Sequence, residues 1–331
     1  MNLDALMNMN KENPSSSCPP SLRIALFVGK GGVGVSTCSA AYAYGRARHG
    51  ARVLWIGSQH SAANTLLFGR QLAARPKRIT SGLWVRTIIP ESAAQHHLER
   101  IRDEMTVQAP PHLVKTLHEQ LQAMQLQPGT LEAALFDELI TGLLQAQEVY
   151  DTVVVDLQGF ALLRLLLSAA RLQHWYALPE VTRGNWRIRQ DHKPSFLGTR
   201  RIRERLVARR NRLQLAMTQL TMSHGTLIFV VSDCSRLALA ETEHQLAQME
   251  HWGRLGCGVV LNKIAQNQGM PVEASQGRLR AALLASLPLC PGGEPLGLHG
   301  LQPLTDAMDQ QGLLDADLVR KTQPFMAMPS S

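Results

Sequence analysis

The residues best suited to chemistry sit together near the N-terminal end, in Val28-Gly-Lys-Gly-Gly-Val-Gly-Val-Ser-Thr37. Glycines at 29, 31, 32 and 34 let successive backbone N–H groups turn inward, which is how a loop cradles phosphate oxygens. Ser36 and Thr37 carry hydroxyls of the kind that hold Mg²⁺ beside a phosphate. The flanks agree. Leu22 to Val28 is a short apolar run that reads as a buried strand, and Ser36 to His49, stopped by Gly50, reads as a helix. A glycine-rich loop between strand and helix is a P-loop, and Gly29, Lys30, Gly31, Gly32, Val33, Gly34, Ser36 and Thr37 form its candidate nucleotide cradle.

One position breaks the pattern. Loops with the early lysine, here Lys30, read G-K-G-G-x-G-K-[ST], and the second lysine reaches the β- and γ-phosphates. Val35 stands in its place. A charge-assisted contact contributes about 1.5–3 kcal/mol of binding. Losing a transition-state charge stabiliser lowers a rate by about 10²–10³. The sequence therefore predicts a cradle that keeps its shape and loses much of its grip, so that ATP and Mg²⁺ are the expected cofactors but weakly held or lost.

Stepping outward, Arg52 to Ile56 reads as a second strand, completing a βαβ unit with a parallel pair. Leu83 to Ile89, Thr152 to Asp156, Thr226 to Ser232, Gly258 to Ile264 and Leu283 to Leu289 read as further strands. Helical stretches separate them: Glu91 to Leu126, interrupted at Pro110-Pro111, and Leu131 to Leu144, with leucines at 131, 135, 139 and 143. The alternation predicts an α/β fold, a doubly wound and mostly parallel sheet of the P-loop NTPase type carrying a helical insertion. Its expected parts are a disordered tail (1–21), a first core part (22–179), a basic helical insertion (180–222), a second core part (223–310) and a C-terminal tail (311–331).

From here the chain resembles the ArsA/GET family, the arsenite-pump ATPases and tail-anchored-protein targeting factors. Lys30 to Ala41 with Gly50 to Ile56 is similar to that family's first βαβ unit. Pro128 to Ala134 resembles its "PG-x-x-EA" helix start, and Tyr150 to Asp156 with Leu163 to Leu166 its Walker-B strand and second switch. Phe229 to Val231 with Glu241-Thr242, Val260 to Ile264 and Glu294 to Leu298 resemble three later segments, in order. The resemblance implies ATP at a dimer interface, with Lys30 reaching the partner's phosphates, Asp156 acting on Mg²⁺ with Ser36, and Asn262 contacting adenine. It also exposes departures. The family's first switch carries "D-P-A", whose aspartate positions water; here Ser58-Gln-His-Ser61 offers Gln59, which can orient water but cannot take its proton. The second switch is shortened to Asp156-Leu-Gln-Gly159. The catalytic candidates are thus Lys30, Gln59 and Asp156.

The net charge of +8 is concentrated: Arg183 to Arg212 hold eleven Lys/Arg and two acids, while the remaining chain has 23 bases and 24 acids. Arg200, Arg201, Arg203, Arg209 and Arg210 lie in a run without Pro or Gly, opposite an apolar stripe of Ile202, Leu206, Leu213, Met217 and Leu220. Such a face suits an acidic protein partner, an anionic membrane surface or DNA. Five scattered cysteines without a C-x-x-C pair point to reduced thiols in a cytoplasm and to no zinc site. No apolar run reaches the roughly 18 residues that span a bilayer. The expected function is a partner-binding pseudoATPase or very weak ATPase working as a dimeric switch, as a homodimer or with an intact paralogue. The alternatives are a slow ATP-hydrolysing targeting or sorting factor, and a ParA/MinD-like positioning protein that rides on DNA or an anionic surface.

Overall fold

The computed structural model describes residues 22–58, 62–106, 128–157, 225–250, 256–265, 277–290 and 293–315, with positions 119, 159–161, 163–164, 211, 215, 220 and 318. The first half supplies β1 (Arg23–Gly29), α1 (Val35–Arg48), β2 (Val53–Gly57), α2 (Ala62–Phe68), β3 (Lys77–Thr80) and β4 (Leu83–Thr87). Next come α3 (Pro90–Thr106), α4 (Pro128–Ala146) and β5 (Thr152–Asp156). The second half adds β6 (Thr226–Ser232), α5 (Arg236–Glu250), β7 (Gly256–Ile264), α6 (Gly277–Ala282), β8 (Leu283–Pro288) and α7 (Gly297–Gln310).

These strands form one eight-stranded sheet in the order β3-β4-β2-β5-β1-β6-β7-β8. Every adjacent pair is parallel except β3–β4. The central strands are apolar through their middles, with polar residues only at their ends, because both faces are covered. In β1, Ile24, Leu26 and Val28 enter one core cluster while Ala25 and Phe27 enter the other. Helices α3, α4, α5 and α6 cover the first face through residues such as Ala94, Leu139, Leu246 and Leu279. Helices α1, α2 and α7 cover the second through Ala40, Phe68 and Leu304. The doubly wound α/β architecture read from the sequence is the one observed.

Helix α1 lies against the sheet on small residues, and its run from Cys38 to Ala43 is buried throughout. A Cβ on Gly45 would come within 2.5 Å of Leu314 Cδ1, so the close seat of this helix against the C-terminal segment depends on that glycine.

Some boundaries differ from the sequence reading. Strand β3 was not anticipated: Lys-Arg-Ile-Thr at a sheet edge is half-exposed and lacks an apolar run. Strand β4 ends at Thr87, β7 starts two residues earlier than expected, at Gly256, and α3 starts at Pro90. The core does not stop at residue 310. Leu313, Leu314 and Leu318 are buried in the second cluster, and Arg46 Nη1 donates to Leu314 O at 2.5 Å. Of the basic insertion, only Asn211, Leu215 and Leu220 are described; Leu220 is buried in the first cluster and Leu215 is exposed. Residues 107–118 around Pro110-Pro111 lie outside the described residues. No helix among the described residues is long and apolar enough to cross a membrane.

Candidate functional site

The carboxyl ends of β1, β5, β6 and β7 converge where α1 begins, the place at which open parallel sheets bind ligands. Gly29, the last residue of β1, is in register with Val231 of β6, and a Cβ there would meet Val231 O at 2.4 Å. The strand can enter the loop only as glycine. Gly32 and Gly34 have φ of 87° and 96°, the left-handed region that turns the chain back toward α1. Gly34 is the N-cap of α1 and provides no side-chain cap, and no acidic residue occupies the first helical turn. The first-turn N–H groups are thus left to an anion. Above them opens a cleft of about 660 Å³, lined by the loop, α2, the end of β5, Pro288 to Cys290 and Gly293 to Leu296.

Two neighbouring side chains of β7 hold the loop from the other side. Asn262, 4% exposed, donates Nδ2 to Val33 O at 2.9 Å, and Lys263 donates Nζ to Gly32 O at 2.6 Å. A Cβ on Gly34 would lie 2.3 Å from Asn262 Nδ2, so the clamp closes over a glycine. Asn262 lines the cleft, yet its amide is spent on the loop's own backbone, in addition to any contact with a base. Lys263 is the non-glycine residue with positive φ, 59°, among those described.

Asp156 ends β5, paired in register with Phe27 and Gly57, and is 1% exposed. Burial pushes its carboxyl up from the usual value to about 6, while a hydrogen bond from the Ser36 side chain pulls the other way. Its Oδ1 has no hydrogen-bond partner. A buried carboxylate oxygen left unpaired beside a hydroxyl, at the mouth of a phosphate cradle, fits a hydrated divalent cation. Ser36 is itself held: Ser39 Oγ donates to Ser36 O at 2.9 Å, and Trp55 Nε1 donates to Ser39 Oγ at 3.0 Å. The backbone N–H of Ser58 donates to the Asp156 backbone carbonyl at 3.0 Å, which ties the end of β2 to the end of β5.

The structure thus brings together Gly29 to Gly32, Gly34 to Thr37, Asp156 and Asn262 in one cleft, while the Val33 side chain is buried in the second core cluster. Lys30 is exposed and also lines the cleft. Val35 borders the cleft but packs inward on the second core cluster, 3.0 Å from where a Gly29 Cβ would lie. Gln59 and Arg200, Arg201, Arg203, Arg209 and Arg210 fall outside the described residues. Sequence reasoning missed Lys263 and the apolar rim, where Leu66, Leu289 and Leu296 are 53%, 50% and 57% exposed. The rim had a signal in the Glu294 to Leu298 segment, and Lys263 had one in the Val260 to Ile264 strand beside Asn262.

The profile of the family described as Anion-transporting ATPase matches residues 22–281. The chain is similar to the arsenical pump-driving ATPase of Escherichia coli, 27% identical over 325 residues, which cover 95% of this chain and 51% of that protein. It is also similar to the putative arsenical pump-driving ATPase 2 of Aquifex aeolicus, 22% identical over 245 residues, covering 73% of this chain and 80% of that one. A shorter match, 33% identical over 143 residues, links it to the arsenical pump-driving ATPase of Acidiphilium multivorum, covering 42% of this chain and 23% of that protein. The chain spans about half the length of the Escherichia coli relative. Since the profile runs from the first strand, through the P-loop and β7, to α6, this chain belongs to the anion-transporting ATPase family of ArsA type.

Proposed function

We propose that this protein binds Mg-ATP in the cleft and works as a dimeric, partner-binding switch with little or no hydrolytic turnover. The observation that supports this most is the contrast within one loop. The backbone cradle, its clamp from β7 and the Asp156–Ser36 pair are intact, while position 35 carries an uncharged valine that borders the cleft and packs partly buried against the core. Backbone N–H groups and the dipole of α1 suffice to hold phosphates. They do not neutralise the charge that builds up during phosphoryl transfer.

In this reading, Gly29 to Gly34 orient the phosphates and Ser36 and Asp156 hold the cation. Mg²⁺ held by Ser36 and Asp156 would supply positive charge to offset that of the phosphates. Asp156 is needed ionised, so burial that favours its neutral form makes cation binding sensitive to mildly acidic pH. Lys30 would reach a second subunit, either a copy of this chain or an intact paralogue, and its exposure supports that role. A slow targeting or sorting ATPase would use the same cleft but would need Gln59 to position water.

Calorimetric titration of Mg-ATP into the native chain and into Val35→Lys tests the proposal. Restoring one ionic contact is expected to tighten binding by about tenfold or more, from roughly 1.5–3 kcal/mol. Equal affinities would show that the cleft does not use position 35 as a phosphate site.

A further inference from the structure

We propose that Lys263 supplies in cis, from β7, the positive charge that the P-loop lost at position 35. The inference rests on the nucleotide-binding reading above and adds to it the residue that holds the phosphates. Lys263 Nζ already lies on the loop, 2.6 Å from Gly32 O. Its stem crosses the loop at Gly34, where a Cβ would approach Lys263 Cε to 4.0 Å. The side chain is exposed and lines the cleft, so its head is free to move toward a ligand.

The backbone supports this placement. An L-residue holds a left-handed φ only where its surroundings fix it. Here the fixing groups are the two side-chain bonds that residues 262 and 263 make to successive loop carbonyls. The ammonium has three N–H donors, and the Gly32 carbonyl takes one. A phosphate oxygen is a stronger acceptor than a neutral carbonyl, because the bond is between two charged groups. Bound nucleotide would therefore share or draw off the ammonium that rests on Gly32 in its absence. The field of this ammonium also reaches the first turns of α1, where it opposes the burial that pushes the Cys38 thiol up. A lysine at 35 would rise from the helix; Lys263 comes from the facing strand and covers the same glycines from outside.

A brace that merely shapes the loop would use the same hydrogen bond, and the experiment separates the two roles. Mg-ATP and adenosine are titrated calorimetrically into the native chain, Lys263→Met, Lys263→Arg, Val35→Lys and the double variant Val35→Lys/Lys263→Met, each checked for an unchanged melting profile. A phosphate-binding cation predicts at least tenfold weaker Mg-ATP binding for Lys263→Met, with adenosine affinity within about twofold of native. Lys263→Arg stays close to native, and the double variant regains at least native affinity, because a charge at either place serves. If Lys263→Met binds Mg-ATP as the native chain does, or if a lysine at 35 fails to rescue it, the inference is overturned. It is overturned alone if the native chain binds Mg-ATP and Lys263→Met binds it equally well; if only Val35→Lys binds Mg-ATP, native nucleotide binding and the inference fall together. Should neither the native chain nor Val35→Lys bind, the nucleotide reading falls and takes the inference with it.

Discussion

Asp156 shows how a single group links stability to function. Its folded carboxyl is raised from 3.8 to about 6, so between those pH values the folded chain holds a proton that the unfolded chain has lost. Stability from this group therefore falls as pH rises through that window, and above it the ionised carboxylate is a standing cost. Asp156→Asn is expected to stabilise the ligand-free protein at pH 8 by about 1–2 kcal/mol, less than the full shift implies, because an amide accepts a weaker bond from Ser36. Thermal melts at pH 8 and below pH 4 check this: the gain should vanish at the lower pH. The same variant should lose the Mg²⁺ dependence of nucleotide binding, and the native chain should lose it as pH drops below about 6. The clamp gives a second test. Asn262→Ala removes the donor to Val33 O and should cost about 1–3 kcal/mol in chemical denaturation. The glycine turn between β1 and α1, with a valine at position 35, was legible in the sequence because a P-loop has fixed spacing. The roles of Asn262 as a clamp and of Lys263 were not, since they depend on which strand lies next to the loop.

At the scale of elements, β5 and β6 were read to the residue because strands buried on both faces are unbroken apolar runs. The edge strand β3 carries Lys77 and Arg78 and gives no such run. The residues after α7 misled for a different reason. Gly312 and Asp315 look like loop punctuation, yet the leucines between them are buried and complete the seat of α1. Leu314→Ala is expected to destabilise the fold by about 2–5 kcal/mol, the usual loss for a buried leucine. Ending the chain after Gln310 should cost more than Leu314→Ala, since it also strips Arg46 of its bond to Leu314 O. Denaturant titration of both forms measures the difference; equal stability of the truncated and full chains would show that this segment is a tail after all.

Over the whole molecule, charge is the property read most directly and the one whose structural setting is least described. The segment from Arg183 to Arg212 holds a net +9 in a chain of net +8. If it is a polyanion-binding face, binding to DNA or to anionic vesicles weakens steeply with salt, by a slope of about −0.9 in log K for each DNA phosphate contacted. Replacing Arg200, Arg201, Arg209 and Arg210 by Glu should abolish retention on a DNA column at moderate salt. Unchanged retention would assign the segment to a solvated helix. The overall α/β order was legible because alternating strands and helices leave few topologies open.

Steady-state ATP turnover by the purified native chain, in a sample whose bound Mg-ATP is counted by calorimetry, tests the central claim most directly. A mid-range enzyme turns over at about 10 per second, and loss of a charge stabiliser such as the loop lysine removes up to about 10³ of the rate. The account predicts measurable nucleotide binding with turnover at or below about 0.01 per second. Turnover of about 1 per second or faster by the unaltered chain would contradict it.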